Sequence, residues 1–180
     1  MSILNKRNIV LLFCVLTFSG MASAQKNPLE RLDFLIGDWV GTGKGYNNTQ
    51  SKVEISFYYI MKGKFIEMDS ESRFAPVGKN DKGQFHQEKG FFSYDKDRKQ
   101  IVYRQFSNDG YVNQYYLNDT ISTAHTLVFD SEKTENFIPD GKARWIIQKE
   151  GDHQLSTSFN VAFPGQSFVS FGSQELMKNP

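Results

Sequence analysis

The sequence predicts an all-β protein: a single antiparallel up-and-down β-barrel of about ten strands with a short N-terminal plug helix. Three observations support this fold class. About ten short strand-like segments are separated by turn signals, no helical pattern interrupts them, and 14% of the 180 residues are aromatic. Consecutive strands joined by short turns favour a barrel over a sandwich. The sixteen Phe and eight Tyr indicate a thick core or a lined cavity.

The first 24 residues have the three parts of a secretory signal peptide. Two basic residues precede an apolar run over residues 9–18, and Ala22-Ser23-Ala24 supplies the small residues of a cleavage site. The run is shorter than the roughly 18 residues that cross a bilayer. We therefore predict a signal peptide over 1–24, one β-barrel domain over 25–180, a secreted or periplasmic location and no integral membrane segment after cleavage.

The composition of the mature chain excludes several function classes. Cys14 is the only cysteine and lies in the predicted signal peptide, so neither a disulfide framework nor a thiolate nucleophile is available afterwards. The formal charge of the whole chain is +1, without a basic stripe. This balance argues against nucleic acid as a partner.

The stretch over residues 27–45 predicts the plug. Asn27, Pro28 and Glu30 form a near capping box, and leucines recur at helical spacing until Gly37 ends the helix after about two turns. A helix this short must lie against apolar surface, most simply across one end of the barrel. The glycines that follow at every second position lie within a strand, so they favour a barrel corner or a close backbone approach over a phosphate-binding loop.

Alternating residues and turn signals mark the strands in order. Strand two is typical, because its apolar and polar residues alternate over 52–59. The longest polar and glycine-rich interruption, residues 75–83, predicts a loop at the barrel rim, and Asn108-Asp109-Gly110 predicts a hairpin turn. The predicted strands cover residues 39–45, 52–59, 64–74, 84–94, 100–106, 111–117, 123–131, 143–149, 154–163 and 168–177.

Two motifs carry a family resemblance. LIGDWVGTGKG over residues 35–45, preceded by Pro28-Leu29, and HQEKGF over residues 86–91 resemble the nitrobindin-like haem-binding β-barrel family, which is related to lipocalins and fatty-acid-binding barrels. The resemblance implies a barrel closed at one end by Trp39. In that family a histidine near the C-terminus holds haem iron, and residues 168–180 contain none. The resemblance therefore supplies no residue of this chain in the place of that ligand, and the identity of the cofactor stays undetermined. Only His86 matches a family pocket position.

His86 and Glu88 are the first candidate ligand-binding residues. They lie two positions apart on a predicted strand and so share a face, which the resemblance implies is the inner one. Such a pair could orient a polar ligand or act as a general base, and its alternative is a structural hydrogen-bonded pair. His125 and His153 lie far from it in sequence and have no metal-like spacing, so we predict no metal site and no catalytic residues.

Arg104, Tyr115 and Arg144 complete the candidates. Arg104 lies between Val102 and Phe106, which predicts a buried guanidinium that needs an anionic partner from the protein or from a ligand. Tyr115 is a further ligand-binding candidate on the sixth strand. Arg144 is expected to stack on Trp39 and close the barrel end, as an Arg does in lipocalins.

The leading hypothesis is a secreted or periplasmic, non-catalytic barrel that holds a small hydrophobic molecule in a hydrophobic cavity. Two alternatives stay open. One is an enzyme that uses His86 and Glu88 for proton transfer or isomerisation, so enzymatic activity is left uncertain. The other is a haem-binding barrel in which His86 alone ligates the iron.

Overall fold

The computed structural model describes residues 26–46, 49–76 and 82–180. The predicted signal peptide over 1–24 and residues 77–81 of the predicted rim loop lie outside the described residues. The described residues include the 3₁₀ segments Glu30–Leu35 and Met61–Gly63 and ten strands. The strands are β1 (Gly37–Gly45), β2 (Gln50–Ile60), β3 (Phe65–Phe74), β4 (Gln84–Asp95), β5 (Gln100–Ser107), β6 (Val112–Leu117), β7 (Thr126–Glu135), β8 (Lys142–Gly151), β9 (Gln154–Ala162) and β10 (Val169–Lys178).

The ten strands form a closed barrel, which confirms the predicted fold class. Each strand pairs antiparallel with its neighbours in sequence, and β10 pairs back with β1. The seam runs from the partners Trp39 and Lys178 to Gly45 and Gly172. Gly41 permits this pairing, because a Cβ added there would lie 1.9 Å from the backbone oxygen of Glu175. The predicted close backbone approach therefore occurs at this glycine.

The plug is a 3₁₀ helix of six residues, which has the predicted length of about two turns. The Asn27 side-chain oxygen accepts a hydrogen bond from the Leu29 backbone N–H at 3.1 Å, so Asn27 does act at the start of the plug. Leu32 and Leu35 of this segment, together with Leu29 just before it, are buried in the main hydrophobic cluster. Since so short a helix is unstable alone, this burial holds it in place.

Trp39 joins the plug to the barrel. Its side chain is 1% exposed, and its indole Nε1–H donates a hydrogen bond of 2.7 Å to the backbone oxygen of Leu35. That carbonyl lies at the end of the 3₁₀ segment, where backbone groups lack partners. A single side chain thus fills the barrel end and satisfies the helix terminus.

Arg144 does not stack on Trp39, so the predicted contact is wrong. Its guanidinium binds Asp130, with Nε and Nη2 at 2.5 and 3.0 Å from the carboxylate oxygens, and it lies 4.4 Å from the centre of the Phe168 ring. The reason is strand alternation, since the neighbours Ala143 and Trp145 face the barrel interior. The cation beside Trp39 is Lys178, whose Nζ lies 5.4 Å from the ring centre.

The barrel interior has a filled half and a hollow half. Around the plug, the inward side chains form a continuous core that includes Phe57, Phe92, Leu117, Phe129, Ile147 and Leu155. Toward the other end of the strands, small and polar residues replace these large groups, and a cavity opens. No helix within residues 26–46, 49–76 or 82–180 has the length and apolar character that a membrane span requires.

We expect Trp39→Phe to lower the free energy of unfolding by about 2 to 4 kcal/mol, because it removes buried volume and leaves the Leu35 carbonyl without its donor. Urea unfolding followed by circular dichroism measures the change. Val40→Thr alters the adjacent, exposed position and should stay within about 0.5 kcal/mol of the wild type. Equal effects of the two substitutions would show that Trp39 does not stabilise the closed end.

Candidate functional site

The candidate site is the cavity in the half of the barrel that the core leaves hollow. Its volume is about 640 Å³, which is within the range of small-molecule sites. Side chains from most of the barrel wall line it, together with residues of the loops at the open end. Because strand residues alternate between the two faces, the inward residue types decide what this cavity can hold.

The floor of the cavity is aromatic and apolar. The lining residues next to the core along their strands are Ile55, Met68, Tyr115 and Trp145, with Phe159 one position further out. Below them Phe92 stacks on Tyr103 with ring centres 4.3 Å apart, and Tyr103 lies 5.2 Å from Trp145. Gly90 makes room for this stack, because a Cβ there would lie 2.3 Å from the Tyr103 ring.

Above the floor the wall is polar, and the mouth is aromatic again. The polar belt consists of Ser70, Ser72, Glu88, Gln105, Asn113 and Gln174, and Thr157 lies on the core side of Phe159 on β9. At the mouth Tyr46 stacks on Phe171 at 5.0 Å, and Tyr111 lies edge-on to Phe137 at 6.3 Å. The lining is therefore amphipathic, whereas the sequence predicted a hydrophobic cavity.

Glu88 lies in the polar belt, on β4. Its remaining accessible surface faces the cavity, which it lines. Burial raises the pKa of Glu88; a hydrogen bond from Gln105 and the nearby His86 act in the opposite direction, and Asp109 adds to the rise. A carboxyl group in this state can donate a proton or a hydrogen bond, or it can act as a counter-ion for a cation.

Gln105 connects Glu88 to its neighbours. The Gln105 side-chain oxygen accepts hydrogen bonds from the Tyr115 hydroxyl at 3.1 Å and from the Asn113 amide at 3.2 Å. With the oxygen occupied, the amide nitrogen is the end left to act on Glu88, whose pKa Gln105 lowers. Burial raises the pKa of Tyr115 above its ordinary value, so this hydroxyl remains a neutral donor.

His86 also lines the cavity, but its hydrogen-bond partner is Asp109 rather than Glu88. Nδ1 of His86 lies 2.6 Å from an Asp109 carboxylate oxygen. Asn108 holds the turn against β4, because it accepts a hydrogen bond from the Gln87 N–H and donates one to the Phe85 oxygen. The pair leaves Nε2 of His86 for a ligand or for proton transfer.

Arg104 is not buried, so that prediction is wrong. Its side chain is exposed on the outer face of β5 and donates a hydrogen bond of 3.1 Å to the Ser93 hydroxyl. The inward residues of this strand are Ile101, Tyr103, Gln105 and Ser107. Arg104 therefore lies on the opposite side of the wall from the cavity and cannot meet a ligand held there.

Sequence reasoning missed Asp109, Gln105, Trp145 and the serines of the belt. Asp109 was interpreted only as a turn residue, and no local pattern shows that its turn folds onto β4. A signal for the serines did exist, since Met68, Ser70 and Ser72 recur at every second position of one strand. Once Met68 is placed inside, the alternation places both serines inside as well.

The other two histidines lie away from the cavity. His125 precedes β7 and His153 lies in the turn between β8 and β9, and both are exposed. Within the described ranges, no three His, Cys, Asp or Glu side chains come close enough together to hold a metal ion.

Comparison with known proteins identifies the family. The family model described as "THAP4-like, heme-binding beta-barrel domain" matches residues 28–178. The chain belongs to this family. The resemblance seen in the two sequence motifs is thereby confirmed. No curated protein matches the sequence.

The chain is similar to solved structures to different degrees. The crystal structure of Rv2717c from M. tuberculosis has 16% sequence identity and a TM-score of 0.60, and the match covers 85% of this chain and 98% of that one. A de novo designed fluorescence-activating beta barrel has 10% identity and a TM-score of 0.43, with 82% and 95% covered. At this identity, the similarity to Rv2717c shows a common fold.

The residues of the cavity fit haem at one position. On β10 the inward residues Gly172, Gln174 and Leu176 supply no ligand for iron. His86 does supply an imidazole, and its Nδ1 contact with Asp109 is the kind of outer hydrogen bond that orients a ligating histidine. The polar belt matches an apolar macrocycle less well than it matches a smaller molecule with several polar groups.

We expect the stability of Glu88→Gln relative to the wild type to increase with pH. A raised folded-state pKa means that the folded protein holds the Glu88 proton more tightly than the unfolded chain does. The free energy of unfolding of the wild type should therefore fall as pH rises from the ordinary Glu value of 4.5 through the folded-state pKa. Gln at this position removes that loss.

Urea unfolding at a series of pH values measures the difference. Glu54→Gln, which removes an exposed carboxylate from the outer face of β2, is the matched control for loss of a negative charge. If Glu88→Gln and the wild type keep a constant stability difference from acid to alkaline pH, the pKa of Glu88 is not raised.

Proposed function

We propose that this chain is a non-catalytic barrel that binds a small amphipathic molecule. The observation that supports this function is the cavity of about 640 Å³ with its aromatic floor and polar belt. A planar apolar part of the ligand would lie against Trp145 and Phe159, and its polar groups would meet the belt. Such a ligand is less uniformly hydrophobic than the sequence alone suggested.

We also propose that the protein acts outside the cytoplasm, after removal of residues 1–24. The basic, apolar and small-residue parts of that segment support this location. The absence of cysteine from residues 25–180 is compatible with an oxidising compartment. N-terminal sequencing of the protein recovered from the culture medium or periplasm of its host should begin at Gln25; a retained Met1 would contradict the proposal.

Binding in the cavity predicts that Ser72→Trp, which fills the polar belt, abolishes binding of a neutral fluorescent probe, 4-methyl-1-naphthylamine. Glu71→Trp places the same ring one residue away on the outer face and should leave the affinity unchanged. Fluorescence titration measures both. Native mass spectrometry of the wild type from its host should also show a co-purified small molecule. Repeated isolation of empty barrels, together with equal probe binding by both variants, would overturn the function.

Haem is the second candidate ligand. The observation that favours it, besides the family, is the hydrogen bond of 2.6 Å between His86 Nδ1 and Asp109. His86 would hold the group through Nε2, and Asp109 would fix the orientation of the imidazole. When bound, haem would supply an iron centre able to take up a small diatomic molecule.

If haem binds through His86, adding it to the wild type shifts the Soret band, and His86→Ala abolishes the shift. His153→Ala removes an exposed histidine from the turn between β8 and β9 and should keep the full shift. Absorbance titration distinguishes the two. A wild type without a shift, or a shift that survives in His86→Ala, would exclude this ligation.

A further inference from the structure

Glu88 differs from other shielded carboxylates of the described residues because it forms no ion pair with a cationic side chain there. The Glu67 carboxylate, only 14% exposed, lies 2.6 Å from the Lys89 ammonium, and Asp130 binds Arg144. Glu88 takes part in none of the ion pairs found in residues 26–46, 49–76 and 82–180. A charge removed from bulk water without a partner is costly, so the ligand itself is a natural source of the missing positive charge.

The surroundings hold the Glu88 carboxyl ready for such a partner. Gln105 acts on it by lowering its pKa, and the Gln105 amide is in turn fixed by Tyr115 and Asn113. A carboxylate accepts more hydrogen bonds than this single amide provides. The remaining acceptor capacity faces the cavity, because Glu88 lines it.

The other charges that line the cavity do not supply a counter-ion for Glu88. His86 is engaged by Asp109 at 2.6 Å. Lys44 is exposed near the end of β1, at the mouth rather than in the belt. Arg104, the cation that would have favoured an anionic ligand, lies on the outer face. At the depth of the belt, the lining residues therefore favour positive over negative charge.

The floor provides a second feature that suits a cation. Trp145 lines the cavity, with its ring held by Tyr103 and Phe129 at 5.2 and 6.1 Å between centres. The faces of Trp and Tyr rings attract cations, and they also stack on planar ligands. A charged planar heterocycle would use both properties.

From this arrangement we propose that the cavity selects a planar organic cation, whose positive charge lies against Glu88 and whose ring lies on the aromatic floor around Trp145. This inference rests on the proposed function and adds the charge of the ligand. It also predicts that an anionic compound of the same shape binds poorly, because no belt cation among the described residues would offset Glu88.

Two probes of nearly the same shape test the proposal. 4-Amino-1-methylquinolinium carries a permanent positive charge, and 4-methyl-1-naphthylamine replaces its charged ring nitrogen by carbon. We expect the wild type to bind the cation at least about tenfold more tightly, since hydrogen bonds and contacts to a charged group are stronger than neutral ones. Isothermal titration calorimetry near neutral pH measures both affinities.

Glu88→Gln should remove this preference, and circular dichroism checks that the variant keeps the barrel fold. Glu54→Gln, the outer-face control, should keep the preference. Equal affinities of the wild type for the two probes, or a preference that survives in Glu88→Gln, overturn the proposal.

The proposed function and the charge selectivity can fail separately. If the wild type binds the neutral probe, Ser72→Trp abolishes that binding and the cationic probe binds no more tightly than the neutral one, the binding function stands and the selectivity is wrong. If neither probe binds while native mass spectrometry shows a co-purified molecule, the selectivity alone is again wrong. If neither probe binds and the isolated barrels are empty, both are wrong.

Discussion

Everything in this molecule depends on the pairing of β1 with β10. That seam turns a ten-stranded sheet into a closed wall and leaves no sheet edge among the described strands. It requires close backbone contact, which Gly41 allows because it has no side chain to meet the Glu175 oxygen. Once the wall is closed, alternate residues of every strand belong to an inside and an outside. The plug, the core and the cavity are consequences of which residues fall inside.

The inside is divided by residue size and polarity. Leucines of the plug, Trp39 and the large inward side chains complete a core at one end. Further along the same strands, serine, threonine and amide side chains replace them and leave space that they do not fill. The protein therefore draws its stability from one half of the barrel and can vary its lining in the other. This separation lets a half-buried acid such as Glu88 exist in a barrel with an intact core.

The sequence was sufficient for the fold and only partly sufficient for the site. Turn signals and alternation predicted ten strands, since both are local properties of the chain. They placed His86 and Glu88 on one face, and both side chains line the cavity. The location of the protein and the identity of the ligand stay predictions.

The errors share a physical cause. Arg104 was assigned to the inside because Val102 and Phe106 are apolar, but β5 carries large groups on both faces, and Phe106 is exposed. In such a strand hydrophobicity does not reveal which alternate residues face the interior. Pairing with the neighbouring strands determines that orientation. Arg144 was misplaced by analogy rather than by its own alternation. Asp109 reaches His86 only because a turn folds over β4, which is a tertiary contact without a local signature.

Gly90 gives this barrel a way to change capacity without changing its wall. The absent side chain makes room for Tyr103, which in turn lies beneath Trp145. The height of the floor is thus set by a stack of rings, not by the polar residues that would recognise a ligand. A change of ring size at these stacked positions would therefore raise or lower the floor and leave the polar belt unchanged. The length of ligand that the cavity accepts and the charge that it prefers would then be determined by different residues.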